Sequence, residues 1–271
     1  MRFVSFNVNG IRARLHQIAA VRESYDLDVV AIQEIKVADD AFPLEAVKAS
    51  GFEHVHYYGQ KGHYGVALLS KNPPSSVQLG IPWGPADQQR RFISAVYETS
   101  SAPVRVINGY FPQGENRDHP QKFPAKAKFY EDVNRYLLEC CDPKEHLIVA
   151  GDMNVAPDDE DIGIGEDNRK RWLRDGKASF LPEERAWLQQ IMDWGLHDSY
   201  AIWVKGGPRL YSWFDYRSRG FERDPKRGLR IDLILTSASL SGQIDECGVD
   251  YDIRSQDRPS DHCPVWCNFT L

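Results

Sequence analysis

The stretch MRFVSFNVNGIRARLHQIAAVRESYDLDVVAIQEIK, residues 1–36, sets the terms for the whole chain. Phe3–Val8 is an apolar run of Phe and Val closed by Asn9-Gly10, and it reads as a strand. Arg12–Tyr25 places apolar residues at helical spacing and reads as an amphipathic helix. Val29–Gln33 is a second apolar strand. Polar residues sit where these strands end: Asn7 in the first, Glu34 just beyond the second. A carboxylate following Val29-Val30-Ala31-Ile32 contributes nothing to folding. Taken alone it is a solvated strand end.

The same grammar continues outward. Strand-like runs recur at Gly65–Ser70, Phe92–Tyr97, Val104–Tyr110, Leu147–Ala150, Ile231–Thr236 and Pro264–Phe269. Pro124–Cys140 and Pro182–Trp194 read as amphipathic helices, the latter opened by a proline suited to a first helical turn. Long polar loops fill 111–123, 155–180 and 215–229. Strands alternate with helices, yet hairpin-like neighbours such as Phe92–Tyr97 and Val104–Tyr110 also occur. That mixture predicts mixed β-sheets with helices packed outside them, in one α/β domain spanning 1–271. There is no repeat, low-complexity tract or flexible linker to divide it.

Four segments repeat the pattern of an apolar strand ending in acid, amide or imidazole. They are Ser5–Gly10, Ile32–Lys36, Ala150–Asn154 and Pro259–Pro264, the last containing Ser260-Asp261-His262. Each is bland singly. Four together are not, because strand ends share a rim and residues remote in sequence converge there. Hard oxygen donors of this kind suit Mg²⁺ or Mn²⁺ rather than zinc. Magnesium retains several waters, so Glu34 with help from Asn7, Asp152 or Asp261 suffices to hold it.

Composition is that of an ordinary globular protein, with 42% hydrophobic and 27% charged residues. No apolar run approaches the ~20 residues of a membrane helix. The first residues are too few and too polar for a secretory signal, which predicts a cytoplasmic protein. Five cysteines, an odd number with Cys140 and Cys141 adjacent, suggest no disulfide framework. Cys263 and Cys267 lack the further ligands that zinc needs and read as structural. The net charge of −6 argues superficially against a nucleic-acid partner. The charge is uneven, however. Residues 169–177 and 217–230 are strongly basic, and a metal-binding carboxylate cluster makes the total more acidic without changing those patches.

The chain resembles the exonuclease III branch of the endonuclease/exonuclease/phosphatase superfamily. The motifs are SFNVNGIRAR at 5–14, IQEIK at 32–36, NGYFPQGENRDHP at 108–120, GDMNVAP at 151–157, DIGIGEDNRKRWLRDGKASFLPEER at 161–185, SWFDYRSRGF at 212–221, RGLRIDLIL at 227–235 and PSDHCPVW at 259–266. The resemblance implies a four-layer α/β sandwich, two mixed β-sheets flanked by helices. It implies a monomeric Mg²⁺-dependent (or Mn²⁺-dependent) DNA phosphodiesterase. Its substrates are double-stranded DNA with abasic sites or blocked 3′ ends, and it also acts as a 3′→5′ exonuclease and 3′-phosphatase. Glu34 is then the principal metal ligand, supported by Asn7 and Asp261, with Asp152 and Asn154 near enough to contribute. Asp152 orients or deprotonates the attacking water and Asn154 donates to the scissile phosphate. Tyr110 lies beside that phosphate, and His262, paired with Asp232, contacts a non-bridging oxygen.

Substrate choice falls to the loops. The resemblance assigns DNA contacts to Arg91, Gln113, Asn116, Lys122, Arg169, Arg171, Lys177 and Arg217, and a pocket wall to Trp213, Phe214 and Leu229. A baseless sugar leaves the helix at little unstacking cost and can pack on such a wall. Asn9 stands where some relatives carry Asp, making the site less acidic, and Val204–Leu210 is divergent. A phosphatase or sphingomyelinase on the same fold conflicts with the basic 169–177 loop and SWFDYR. A non-catalytic DNA-binding module predicts erosion among Asn7, Glu34, Asp152, Asn154, Asp232, Asp261 and His262, and none is eroded.

Overall fold

Phe3 and Val4 are strand neighbours, so their side chains leave opposite faces of the sheet, and both are fully buried. A sheet covered on both sides needs a layer above and a layer below. That requirement organises the computed structural model, which describes residues 1–85 and 88–271. The strands are β1 (Arg2–Asn7), β2 (Val29–Gln33), β3 (His54–Tyr58), β4 (Val66–Ser70), β5 (Ser76–Leu79), β6 (Phe92–Tyr97), β7 (Val104–Tyr110), β8 (His146–Asp152), β9 (Leu196–Asp198), β10 (Asp232–Ser237), β11 (Ile244–Val249) and β12 (Val265–Phe269). They form two six-stranded sheets, ordered β11-β12-β1-β2-β4-β3 and β5-β6-β7-β8-β10-β9.

The helices that matter here are α1 (Leu15–Ser24), α2 (Leu44–Ala49), α3 (Lys122–Cys140), α4 (Glu166–Arg174), α5 (Pro182–Asp193) and α6 (Ser199–Val204). Between the sheets, Phe3, Val29 and Leu68 pack in one apolar cluster with Val106, Ile148 and Ile234. Val4, Ile32 and Leu69 face outward onto Ile18 and Val21 of α1 and Val47 of α2. Leu147, Val149 and Leu235 face outward onto Tyr130 and Leu137 of α3 and Leu188 and Ile191 of α5. The result is the four-layer sandwich implied by the resemblance. The inner layer is not purely apolar. Gln33 Nε2 donates to Asn108 Oδ1 at 2.8 Å, and Asn108 Nδ2 donates to the carbonyls of Ile32 and Ala67, both at 2.9 Å. This buried amide pair ties one sheet to the other and fixes their relative register.

Each sheet has a central parallel pair, β1 with β2 and β7 with β8. Both pairs end at the same rim, because Asn7 Nδ2 donates across to Asp152 Oδ2 at 2.9 Å. β10 runs antiparallel to β8 and β12 antiparallel to β1, so these two strands begin at that rim. Opposite it, at the base, the Met1 amine donates to the Phe269 carbonyl at 2.6 Å.

The expected strands and helices are present with boundaries shifted by a few residues. β3, β5, β9 and β11, α2 and α6 were not among them. The expectation that 155–180 is irregular loop is corrected: it contains α4, a helix with no fully buried residue, whose Trp172 and Leu173 pack against the cluster of Ala156, Phe180 and Leu229. A buried charge cluster anchors the preceding turn. Arg230 bridges Asp161, at 2.6 and 3.0 Å, and Asp198, at 2.7 Å. The divergent 204–210 segment joins it through Arg209, which reaches Asp158 and Asp161 at 2.9 and 2.8 Å. Cys263 and Cys267 lie in the inter-sheet core. No described helix is long and apolar enough to cross a membrane.

Candidate active site

At the rim the backbone turns away from strand geometry abruptly. Asn9, Glu34 and Asn154 all lie in the left-handed region, at φ 45°, 59° and 52°. Non-glycine residues seldom sit there, and such strain persists only where the surroundings fix it. β7 and β8 also approach closely here: a Cβ at Gly151 would stand 1.9 Å from the Gly109 carbonyl.

Asp152 ends β8 and lies directly opposite Asp232, which starts β10. His262 Nδ1 contacts both Asp232 oxygens, at 2.8 and 3.1 Å, and its Nε2 lies 3.7 Å from Asp152 Oδ2. All three side chains are buried. Burial opposes the imidazolium, but Asp232 and Asp152 outweigh it and raise the His262 pKa well above the ordinary range. Burial also raises the Asp152 pKa, against the pull of His262. Asp152 Oδ1 accepts from the Asn154 main-chain N–H at 2.9 Å, and Asn154 Nδ2 donates to the Phe111 carbonyl at 2.9 Å.

Asn9, Glu34, Lys36 and Asp261 flank strands of the other sheet. Lys36 Nζ is 2.8 Å from Glu34 Oε1 and also donates to Asn9 Oδ1. Asn9 Nδ2 donates to Asp261 Oδ1 at 2.8 Å, and Trp213 Nε1 donates to Asp261 Oδ2 at 3.0 Å. Asn9, having an amide where a carboxylate would repel Asp261, therefore links the two acids. Tyr110 ends β7 above the Arg91 guanidinium, which lies 4.6 Å from its ring and 3.9 Å from that of Tyr64. Burial first, then nearby Glu34 and Asp152, raises the Tyr110 pKa well above its ordinary value, so its hydroxyl stays protonated.

A cleft of about 370 Å³ opens onto these groups. Of the residues singled out from sequence, Glu34, Tyr110, Gln113, Asp152, Asn154, Lys177, Trp213, Arg217, Asp261 and His262 line it. Asn7 and Asp232 lie behind them, each holding a lining residue. Several of the expected DNA contacts stand elsewhere. Arg91 is buried under the two tyrosines and supports the site from beneath. Phe214 is fully buried among Phe221 and Tyr251, and Leu229 is 1% exposed, so neither forms the exposed pocket wall expected of it. Leu229 instead holds Trp213, through paired main-chain hydrogen bonds of 2.9 and 3.0 Å. The Arg169 guanidinium is held by Asp159 and Glu166, and Lys122 is paired with Glu115. Asn116 bridges to Lys177 beside the cleft.

Sequence reasoning missed Trp172, Ser179, Asp215 and Ile231 in the lining. It also missed a second cavity of about 270 Å³ past Trp213, lined by Arg171, Lys177, Arg223 and Arg227 among others. Trp172 stacks on Phe180, with Lys177 Nζ 3.6 Å from its ring, a pairing with no sequence signature.

The donor set suits a hard divalent cation. Glu34, Asp152 and Asp261 offer carboxylate oxygens to one cleft. Asp215 lines the same cleft and Asp232 stands behind it, so five carboxylates meet four cations, Lys36, Lys177, Arg217 and His262, and the described lining holds no cysteine. Asp152, Asp232 and His262 also bring ligand atoms within 4.8 Å of one another, but the short Asp232–His262 contacts mark that trio as a hydrogen-bonded relay.

The model of the Endonuclease/Exonuclease/phosphatase family matches residues 4–262. The chain belongs to that family. Within the family it is 53% identical to the exodeoxyribonuclease III of Haemophilus influenzae, over 99% of this chain and all of that one. Among solved structures, an AP endonuclease from Archaeoglobus fulgidus superposes with a TM-score of 0.89 at 31% identity, covering both chains completely. The 3′ phosphatase NExo from Neisseria, bound to a product DNA hairpin, superposes at 0.86 with 34% identity, again over both whole chains. These likenesses place the chain in the exonuclease III branch and agree with the two six-stranded sheets.

Proposed function

We propose that the protein is a cytoplasmic, monomeric DNA-repair phosphodiesterase. In this reading it cuts double-stranded DNA on the 5′ side of abasic sites, and it trims or unblocks 3′ ends as exonuclease and phosphatase. The observation that carries this is the convergence of Asp152, Asn154 and the Asp232–His262 pair on one cleft. The likeness to named nucleases and to a DNA-bound 3′ phosphatase supports the choice of substrate.

Hydrolysis of a phosphodiester needs a water in line with the leaving oxygen and donors for the charge that grows on the phosphoryl oxygens. Asp152 orients the water and takes its proton. Protonated His262, held by Asp232, donates from Nε2 to a non-bridging oxygen. Asn154, with one amide hydrogen held by Phe111, keeps its other for the phosphate. Tyr110, kept neutral, is a further donor beside Glu34. Glu34 and Asp261 are the residues that would hold Mg²⁺ or Mn²⁺, with Asn7 behind them fixing Asp152, and the ion would supply charge neutralisation at the phosphate and leaving oxygen. Trp213, fixed by Asp261 and Leu229, is the flat surface for a baseless sugar, and Lys177 and Arg217 meet backbone phosphates.

The deciding experiment uses purified protein and a duplex with one abasic site. Mg²⁺ should give a single cut leaving a 3′-hydroxyl, and excess chelator should stop it. Undiminished cutting in chelator defeats the metal mechanism, and a β-elimination product defeats hydrolysis.

A further inference from the structure

Lys126 lies on α3 with no exposed surface, where an ammonium is costly to bury. All three of its protons have acceptors: Glu184 Oε1 at 2.5 Å, the Asn154 carbonyl at 2.8 Å and the Gln113 carbonyl at 3.3 Å. Glu184, on α5 and equally buried, accepts with its other oxygen from the main-chain N–H groups of Ser179 and Leu181, both at 2.8 Å. One ion pair thus holds the main chain of Gln113, Asn154 and Ser179, three cleft-lining residues from three separate segments. α3 and α5 already pack through Tyr130, Leu137, Leu188 and Ile191. A well-packed apolar pair would join them without the cost of dehydration. It could not grip a carbonyl in a left-handed turn.

We propose that Lys126, with Glu184, is a positioning residue for the substrate side of the cleft. The pair sets the main-chain path at Gln113, Asn154 and Ser179, and so aims the Asn154 amide relative to Asp152. This rests on the reading of the cleft as the site of phosphodiester cleavage. Asn154 N–H to Asp152 and Tyr130 Oη to the Met153 carbonyl, at 2.7 Å, fix the turn from two sides, and Lys126 supplies the third.

The test is Lys126→Met with Glu184→Gln, which removes both charges and keeps an acceptor for Ser179 and Leu181. Stability is read by urea unfolding and chemistry by single-turnover cleavage of the abasic duplex at saturating DNA. The double variant should fold and cleave ~10–100-fold more slowly, the scale of a catalytic group displaced by about an ångström. In an Asn154→Ala background the same pair of substitutions should cost less than about threefold, since its effect runs through Asn154. A folded double variant at full rate, or losses that multiply in the Asn154→Ala background, overturns the proposal. Lys126→Arg, which keeps the charge but places its donors differently, is the second variant. It should be folded and slow, and a full rate counts equally against the idea. If the wild-type protein leaves this duplex uncut, the functional reading falls. The positioning role is then decided by the side-chain amide NMR signals of Asn154, which move in the double variant if it is right and stay if it is wrong.

Discussion

His262 carries an electrostatic assignment that can be made to fail. A histidine ordinarily titrates near ~6.5 and is mostly neutral in mildly alkaline solution. Here the raised pKa keeps it cationic through neutrality, with Asp232 the nearest counter-charge. Activity that needs the proton is full below the raised pKa and lost above it. Asp232→Asn removes a negative partner and lowers that pKa, so the alkaline limb of the single-turnover pH profile should shift to lower pH. Rates from about pH 5.5 to about 10.5 at fixed saturating Mg²⁺ decide it, because His262 is pushed up to about 10. Movement of the acidic limb alone would make His262 the base. The types of these residues were legible in the sequence because acids and imidazoles at strand ends stand out. Phe214 and Leu229 were not: an aromatic or aliphatic residue in a motif gives no sign of whether it faces the cleft or, as here, stands behind Trp213.

At the level of elements, α4 shows why neighbouring charges differ. Arg169 is spent on Asp159 and Glu166, while Arg171 contacts only the neutral Asn168 among its described partners and lines the second cavity. Arg171→Ala should flatten the salt dependence of duplex binding by about one unit of log–log slope, as expected for one lost phosphate contact. Arg169→Ala should leave that slope unchanged. Equal slopes for both variants would mean that the second cavity is not a phosphate path. The helix itself was invisible in the sequence because its apolar face is only Trp172 and Leu173, too short within nine mostly charged residues to show a period. Beneath it, Arg230→Met would leave buried Asp198 without its cation and Asp161 with Arg209 alone. Urea unfolding should show a loss of ~3–5 kcal/mol, the usual cost of breaking a buried ion pair from one side. A loss under 1 kcal/mol would show that water reaches those carboxylates.

The whole molecule is a pair of sheets that contribute to the site unequally. β1 and β2 deliver Asn7 and Glu34 from one side, and β7 and β8 deliver Tyr110 and Asp152 from the other. Apolar runs announced both central pairs. What they did not announce was the seam, where the Gln33–Asn108 bridge sets one sheet against the other, or edge strands such as β5, whose residues are largely exposed. The base offers a different opportunity. Because the Met1 amine meets the Phe269 carbonyl there, a few Gly and Ser residues suffice to splice the two chain ends into a continuous loop. New ends can then be opened in the exposed turn at Ser100-Ser101, between β6 and β7, on the same far side from the catalytic rim. Such a circularly permuted chain should cleave the abasic duplex within a few-fold of the parent rate, since none of the cut or joined bonds touches the cleft. It would also bring residues 101–271 to the front of the reading order, so that the nascent chain makes β7 and β8 before β1 and β2.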